Sequence, residues 1–295
     1  MIESGKAHSK KEDFSLNILE QERFAARIRL ETVRQVGIRG FGHLGGALSV
    51  VDVLAVLYGG IMRVVPENPS LPGRDKLVMS KGHAGPALYS TLALAGYFPM
   101  DWLKTLNQPG TRLPSHCDMK LTPGVDMTTG SLGQGASAAV GLALAQKMDN
   151  MGARTYLFLG DGECNEGQVW EAAMFAAQHK LGNLIAFVDQ NGKQLDGRTE
   201  EIIDMGDLEE KFASFGWHTQ TIDGHEVAAI NGAIASAQIM ADQPSCIVLK
   251  TTKGYGASSI AEVALNHHMV VDGDVLERAI AECELALQKL EGGAK

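Results

Sequence analysis

No uninterrupted apolar run in this 295-residue sequence is long enough to cross a bilayer as a helix. Cysteine is scarce. Cys117, Cys164, Cys246 and Cys283 are dispersed and form no C-x-x-C pair, which argues against a disulfide framework or a cysteine zinc site and fits reduced thiols in the cytoplasm. Basic residues are outnumbered, 26 Lys and Arg against 35 Asp and Glu, for a formal charge of −9. That balance argues against non-specific nucleic-acid binding, although one loop and a divalent metal can still hold an anion locally. Internal repeats and low-complexity linkers are absent. Met1 to Glu22 is polar, with Lys6, Lys10 and Lys11 but no apolar core. It lacks the pattern of a secretory signal and the Arg-rich, acid-poor character of a transit peptide. Residues 1–21 are expected to be a flexible lead-in and 22–295 a single domain.

Glycine is plentiful, and it clusters at a few turns. Arg23 to Gly40 reads as a helix that ends in Gly40-Phe-Gly-His-Leu-Gly-Gly46. A second helix is expected near Ser49, with Asp52 in its first turn. Lys76 to Met79 reads as a short strand before the turn Ser80-Lys-Gly-His-Ala-Gly85, and Ala87 to Ala95 as a helix. Asn107 to Thr129 has no periodicity and is expected to be a long loop of functional character. Tyr156 to Gly160 and Leu184 to Val188 are apolar runs suited to buried parallel strands, joined through the helical spacing of Gln168 to Leu181. Val227 to Ala241, Cys246 to Lys250 and Asp274 to Leu290 continue as helix, strand and helix. Strands alternating with helices predict an α/β fold, a mostly parallel sheet flanked by helices, with ligands at the carboxyl ends of the strands.

Two polar turns fall at such ends: Gly160-Asp-Gly-Glu-Cys-Asn-Glu-Gly167 and Asp189-Gln-Asn-Gly192. If the two strands are neighbours, Asp161 and Asn191 project into one crevice. A carboxylate and an amide oxygen are hard donors suited to Mg²⁺ or Ca²⁺, and a backbone carbonyl past Asn191-Gly192, that of Lys193, is a candidate third ligand. Gly162 allows close approach to an anion, and its N–H is a candidate phosphate donor. Either turn alone is a common turn dipeptide. The pair, about thirty positions apart, resembles the signature of thiamine-diphosphate enzymes, which implies Asp161, Asn191 and the Lys193 carbonyl as metal ligands and Gly162 as a diphosphate contact.

Histidines narrow the resemblance. His43, His83 and His116 sit in turns or loops, and His267 and His268 follow the glycine-rich stretch Lys253-Gly-Tyr-Gly256. With Thr128-Thr-Gly-Ser-Leu-Gly-Gln-Gly135, Asp189-Gln-Asn-Gly-Lys-Gln-Leu-Asp-Gly197, Phe215-Gly-Trp217 and Ile222-Asp-Gly-His225, the chain resembles the first domain of transketolase, in the same motif order from about residue 22 onward. Ser131 replaces the usual proline. The resemblance implies His43, His83, His116 and His267 as active-site histidines; Gly130, Leu132, His83 and Asn191 as cofactor contacts; and Glu166 near a subunit interface. His267 is preferred over its neighbour His268. Imidazole suits proton transfer to and from sugar oxygens.

The implied cofactors are thiamine diphosphate and Mg²⁺, with Ca²⁺ or Mn²⁺ as substitutes. A whole transketolase is more than twice as long, and its pyrimidine-binding and C-terminal domains are not recognisable here. The resemblance is therefore to the first subunit of a split transketolase, cytoplasmic, with sugar or sugar-phosphate substrates and a second subunit carrying those domains in a heterotetramer. Two alternatives stay open: the alpha subunit of a 2-oxoacid dehydrogenase, and a non-catalytic cofactor-binding module.

Overall fold

In the computed structural model, which describes residues 16–292, Asn17 starts the first helix with a capping box. Its side chain accepts from the Glu20 N–H while the Glu20 carboxylate accepts from the Asn17 N–H. The helix runs Ile18–Arg39 and stops at Gly40, whose φ of 85° is the left-handed conformation that glycine adopts freely. Ile18 to Gln21 are therefore helical rather than part of a lead-in. An Asn-x-x-Glu start takes the helix one turn further out than its apolar spacing suggests. Residues 1–15 lie outside the described residues.

The strands are β1 (Phe41–Gly42), β2 (Lys76–Met79), β3 (Thr155–Gly160), β4 (Leu184–Gln190), β5 (His218–Asp223), β6 (Ser245–Lys250) and β7 (Met269–Val270). Five form one sheet in the order β2-β3-β4-β6-β5, parallel throughout. The other two pair antiparallel, Phe41 opposite Val270 and Gly42 opposite Met269.

Strand alternation divides the core between the two faces of the sheet. Leu77, Tyr156, Phe158, Ile185, Phe187 and Ile247 face one layer, packed with helices Ile18–Arg39, Val51–Val56, Gly85–Leu94 and Val227–Gln238. Val78, Leu157, Leu159, Ala186, Val188 and Val248 face the other, against helices Gln134–Met148 and Gly167–Gln178. Each large apolar side chain buried this way contributes about 1.5–3 kcal/mol. The central pair Phe158 and Phe187 stack at 5.0 Å. β5 is an edge strand and reads His-Thr-Gln-Thr-Ile-Asp, too polar to register as a buried strand.

Candidate active site

The parallel sheet brings four chain turns to one end. The turn after β2 carries Lys81 and His83, the turn after β3 carries Asp161 and Gly162, the turn after β4 carries Asn191 and Lys193, and the turn after β6 carries Lys253. β3 and β4 are direct neighbours, with Gly160 opposite Asp189. Pairing of β1 with β7 adds a second convergence, since it sets the His43 loop beside Asn266-His-His268.

These turns and the 107–133 loop enclose a cavity of about 520 Å³. Every site residue read from the sequence lines it: His43, His83, His116 and His267; Gly130 and Leu132; Asp161, Gly162, Glu166, Asn191 and Lys193. Two other cavities, of about 460 and 860 Å³, lie elsewhere and contain none of these residues.

The histidine rings form one cluster. His43 lies 5.5 Å from His83, 5.2 Å from His116 and 5.3 Å from His267, and His83 lies 4.6 Å from His267, centre to centre. His268 also reaches His43, at 4.7 Å, but it is exposed and its other neighbour is the Phe41 ring at 5.7 Å. Burial makes the imidazolium form costly. It holds His43 at about 4, with His268 and His116 adding to the shift, and His267 at about 3, with Lys253 adding to it. His83 and His116 are lowered for the same first reason. All four are neutral at neutral pH and offer one donor and one acceptor nitrogen each. Gly130 has φ 144°, and a Cβ there would come within 3.1 Å of the His116 ring, so this glycine lets the loop pass close behind that histidine.

Asp161 is buried and accepts from two backbone N–H groups, Gly162 at 2.8 Å and Gly192 at 2.6 Å. Burial, and then Asp189, push its carboxyl up to about 6. The expected phosphate donor, the Gly162 N–H, is thus already held by the Asp161 carboxylate. What this glycine provides is room, because a Cβ would lie 2.9 Å from Gln194 Cβ. The Asn191 amide is fixed at both ends: its Nδ2 donates to Asp189 at 2.8 Å and its Oδ1 accepts from the Lys193 N–H at 3.1 Å. One carboxylate, one amide oxygen and the Lys193 carbonyl are hard oxygen donors that fit a magnesium-like cation completed by phosphate and water. Among the described residues no group of three His, Cys, Asp or Glu could hold a metal, so a site of this kind depends on those mixed donors.

Four residues that sequence reasoning left unassigned, Lys81, Asp189, Lys253 and Glu163, underlie this arrangement. Asp189, fully buried, accepts from Lys81, Ser49 (2.7 Å), Thr251 and Asn191. Burial is the largest influence and opposes its charge, but Lys81 together with the Thr251 and Ser49 hydrogen bonds holds the carboxyl below its usual range. Lys253 reaches into the cavity, where burial and then Lys81 lower its ammonium to about 8. Glu163 ties Ser80 and the Gly133 and Gly160 N–H groups together, so it clamps three turns. The Ile222-Asp-Gly-His225 motif is a brace. His225 bonds Asp52 at 2.9 Å, accepts from the Thr252 N–H at 2.9 Å and stacks on Tyr255 at 3.6 Å, which holds the loop carrying Lys253. Lysines inside glycine turns, Ser80-Lys-Gly and Thr252-Lys-Gly, were the available signal.

A family model described as the thiamine diphosphate binding domain of transketolase matches residues 20–281. The chain is 53% identical over 257 residues to a 6-deoxy-6-sulfo-D-fructose transketolase subunit of Clostridium sp. (strain MSTE9), covering 87% of this chain and 94% of that one. It is 40% identical over 250 residues to an apulose-4-phosphate transketolase subunit of Phocaeicola vulgatus, covering 85% and 89%. The solved transketolase of Campylobacter jejuni superposes with a TM-score of 0.84 at 29% identity, over 93% of this chain but 46% of that chain. The chain thus spans less than half the length of that solved transketolase.

Proposed function

This chain belongs to the transketolase thiamine-diphosphate-binding family, and from that membership we propose that it is the diphosphate-binding subunit of a two-chain transketolase. It would transfer a two-carbon ketol unit from a ketose to an aldose, with Mg²⁺ as the metal and a second subunit completing the site, in a cytoplasmic heterotetramer. The observation that carries this reading is the convergence of four neutral histidines with the Asp161, Asn191 and Lys193 oxygens in one cavity at the carboxyl ends of the strands. Membership of this family also sets aside the 2-oxoacid dehydrogenase alternative.

Asp161, Asn191 and the Lys193 carbonyl would hold the metal, and Lys253 adds a positive charge beside it for a diphosphate. Thiamine diphosphate supplies the nucleophilic carbon and the electron sink that carbon–carbon cleavage requires. The protein's own part is placement and proton handling. Neutral His43, His83, His116 and His267 can each accept a hydroxyl proton or donate to a sugar oxygen. Their low basicity in this buried setting means an accepted proton is readily returned. Burial of the cavity floor strengthens each of these contacts relative to water. Glu166 is exposed at the rim, and Leu195, Ile202 and Ile203 stand exposed around it. This is a wall that a complementing subunit would cover.

A ketol-transfer assay with thiamine diphosphate and Mg²⁺ tests the reading. It is run on this chain alone and mixed with its complementing subunit, with phosphorylated ketoses and 6-deoxy-6-sulfofructose as donors. Activity in the mixture alone is expected. No transfer from any donor in the mixture refutes the proposal.

A further inference from the structure

We infer that the Lys253 ammonium is a built-in cation seated on the Lys193 carbonyl, and that a divalent metal takes this oxygen only by displacing it. The inference rests on the metal site proposed above and adds a residue that opposes metal binding there.

Lys253 is 4% exposed. Its Nζ has two partners, the Lys193 carbonyl at 2.9 Å and His267 Nδ1 at 3.1 Å. Its backbone is pinned. The Asn266 amide donates to the Lys253 carbonyl at 2.9 Å, and the Gly254 N–H donates to the Gly45 carbonyl at 2.9 Å. Only the four-carbon stem can therefore move. Both nearby carboxylates have other donors: Asp189 holds Lys81, and Asp161 holds two backbone N–H groups. Among the described residues Lys253 makes no salt bridge. A buried ammonium met only by a neutral carbonyl and a neutral ring is incompletely compensated.

The consequences follow from charge. A metal arriving alone meets a positive charge on the Lys193 oxygen and must evict it into the cavity. There the inner carboxylates Asp161, Glu163 and Asp189 already have other donors, and among the described residues lining it only Glu166 and Asp196, exposed at the rim, are unpaired. An anion bound in the cavity changes that, because it accepts the displaced ammonium. Metal and diphosphate then each favour the other, a coupling that is reciprocal by thermodynamic necessity. Displacement also releases His267. While Lys253 donates to Nδ1, the ring proton must sit on Nε2.

The test is binding of Mn²⁺ alone, without cofactor, to the full chain, with free Mn²⁺ followed by electron paramagnetic resonance. Lys253→Met should bind Mn²⁺ about tenfold or more tighter than the unchanged chain, the scale of one charge-assisted contact. Lys253→Arg, which keeps the cation, should show no gain. Adding Asp161→Ala to Lys253→Met should abolish the gain. A purely structural role for Lys253 predicts no tightening at all, so equal or weaker Mn²⁺ binding by a folded Lys253→Met overturns the inference. Lys253→Gln provides the same reading should the Met variant fail to fold. Uptake of thiamine diphosphate with Mn²⁺ by the unchanged chain is the separate check. The uptake is measured with the complementing subunit present: if uptake occurs and the variants show no gain, only this inference fails; if the mixture takes up none, the site assignment fails with it.

Discussion

Lys81→Met removes one charge from the most buried ion pair at the site and leaves the Asp189 carboxylate otherwise untouched. Asp189 is fully buried and Lys81 is 1% exposed. Breaking a pair of this kind costs about 3–5 kcal/mol, because an uncompensated charge is left out of water. Two features of the structure place the expected loss toward the lower end. Asp189 keeps three neutral donors, Ser49, Thr251 and Asn191. The carboxylate can also escape by taking a proton, which from an ordinary carboxyl pKa of about 3.9 limits the penalty at pH 7 to roughly 4 kcal/mol. A loss of about 3 kcal/mol corresponds to a fall in apparent Tm of about 5 °C for a chain of this size. The assay is thermal and urea denaturation of Lys81→Met, Asp189→Asn and the double variant. The double variant should recover at least about 2 kcal/mol of the Lys81→Met loss. The Lys81→Met deficit should also shrink as pH falls toward 4. Its unpaired carboxyl has a folded pKa above the unfolded value, so the burden is greatest when the group is forced to ionise. A single variant as stable as the parent, or a double variant no better than the single, would refute the view that this pair anchors the site.

The remaining predictions concern the cavity. Asp161→Ala should abolish metal-dependent thiamine diphosphate binding, measured by fluorescence quenching, and retained tight binding would sink the metal assignment. His83→Ala should leave cofactor affinity near that of the parent and cut turnover about 10²–10⁴-fold, the scale of a lost acid–base contact; an equal fall in cofactor binding would make His83 a binding residue alone. Folded-state values of about 4 for His43 and about 3 for His267 lie below the unfolded histidine value of about 6.5. The unfolded chain then binds more protons in the window between, so these two rings withdraw stability as pH falls below about 6.5. Asp161, raised to about 6, acts in the opposite direction. Histidine-selective ¹⁵N titration of the cofactor-free chain should find both rings neutral at pH 5, and midpoints near 6.5 would refute the burial argument.

How much of this was legible in the sequence depended on how each residue announces itself. The buried strands were, because uninterrupted apolar runs such as Tyr156-Leu-Phe-Leu satisfy both faces of a covered sheet. The two polar turns after β3 and β4 were, because glycine beside Asp161 and Asn191 marks a strand end. The edge strand His218–Asp223 was not, since a polar run carries no periodic signal. Helix Gln134–Met148 also went unread. Its buried face is mostly Ala and Gly, with Leu142, Leu144 and Met148 outside it, so it carries no apolar stripe to read. The Asp189 hub could not be read, because its four donors come from residues 49, 81, 191 and 251. Such a carboxylate looks in sequence like any strand-end aspartate.

The same distinction explains why the site is well formed within a chain that spans less than half of a solved transketolase. Its organisation comes from within. Asp189 and Glu163 tie the turns that follow β2, β3 and β4 into one unit, His225 braces the turn after β6, and the short β1–β7 pair brings the His43 and His267 segments together. None of these contacts needs another subunit. The rim is built differently: Glu166 and Leu195 are exposed, and Ile202 and Ile203 make their short helical turn without burying a residue of it. A fold that spends its buried polar contacts on the floor of a cavity and leaves apolar side chains at its edge is rigid where a thiamine-diphosphate-binding domain must hold its cofactor, and leaves closure of the cavity to a second surface. This division between a rigid floor and an unfinished wall is the physical form that a two-chain enzyme takes.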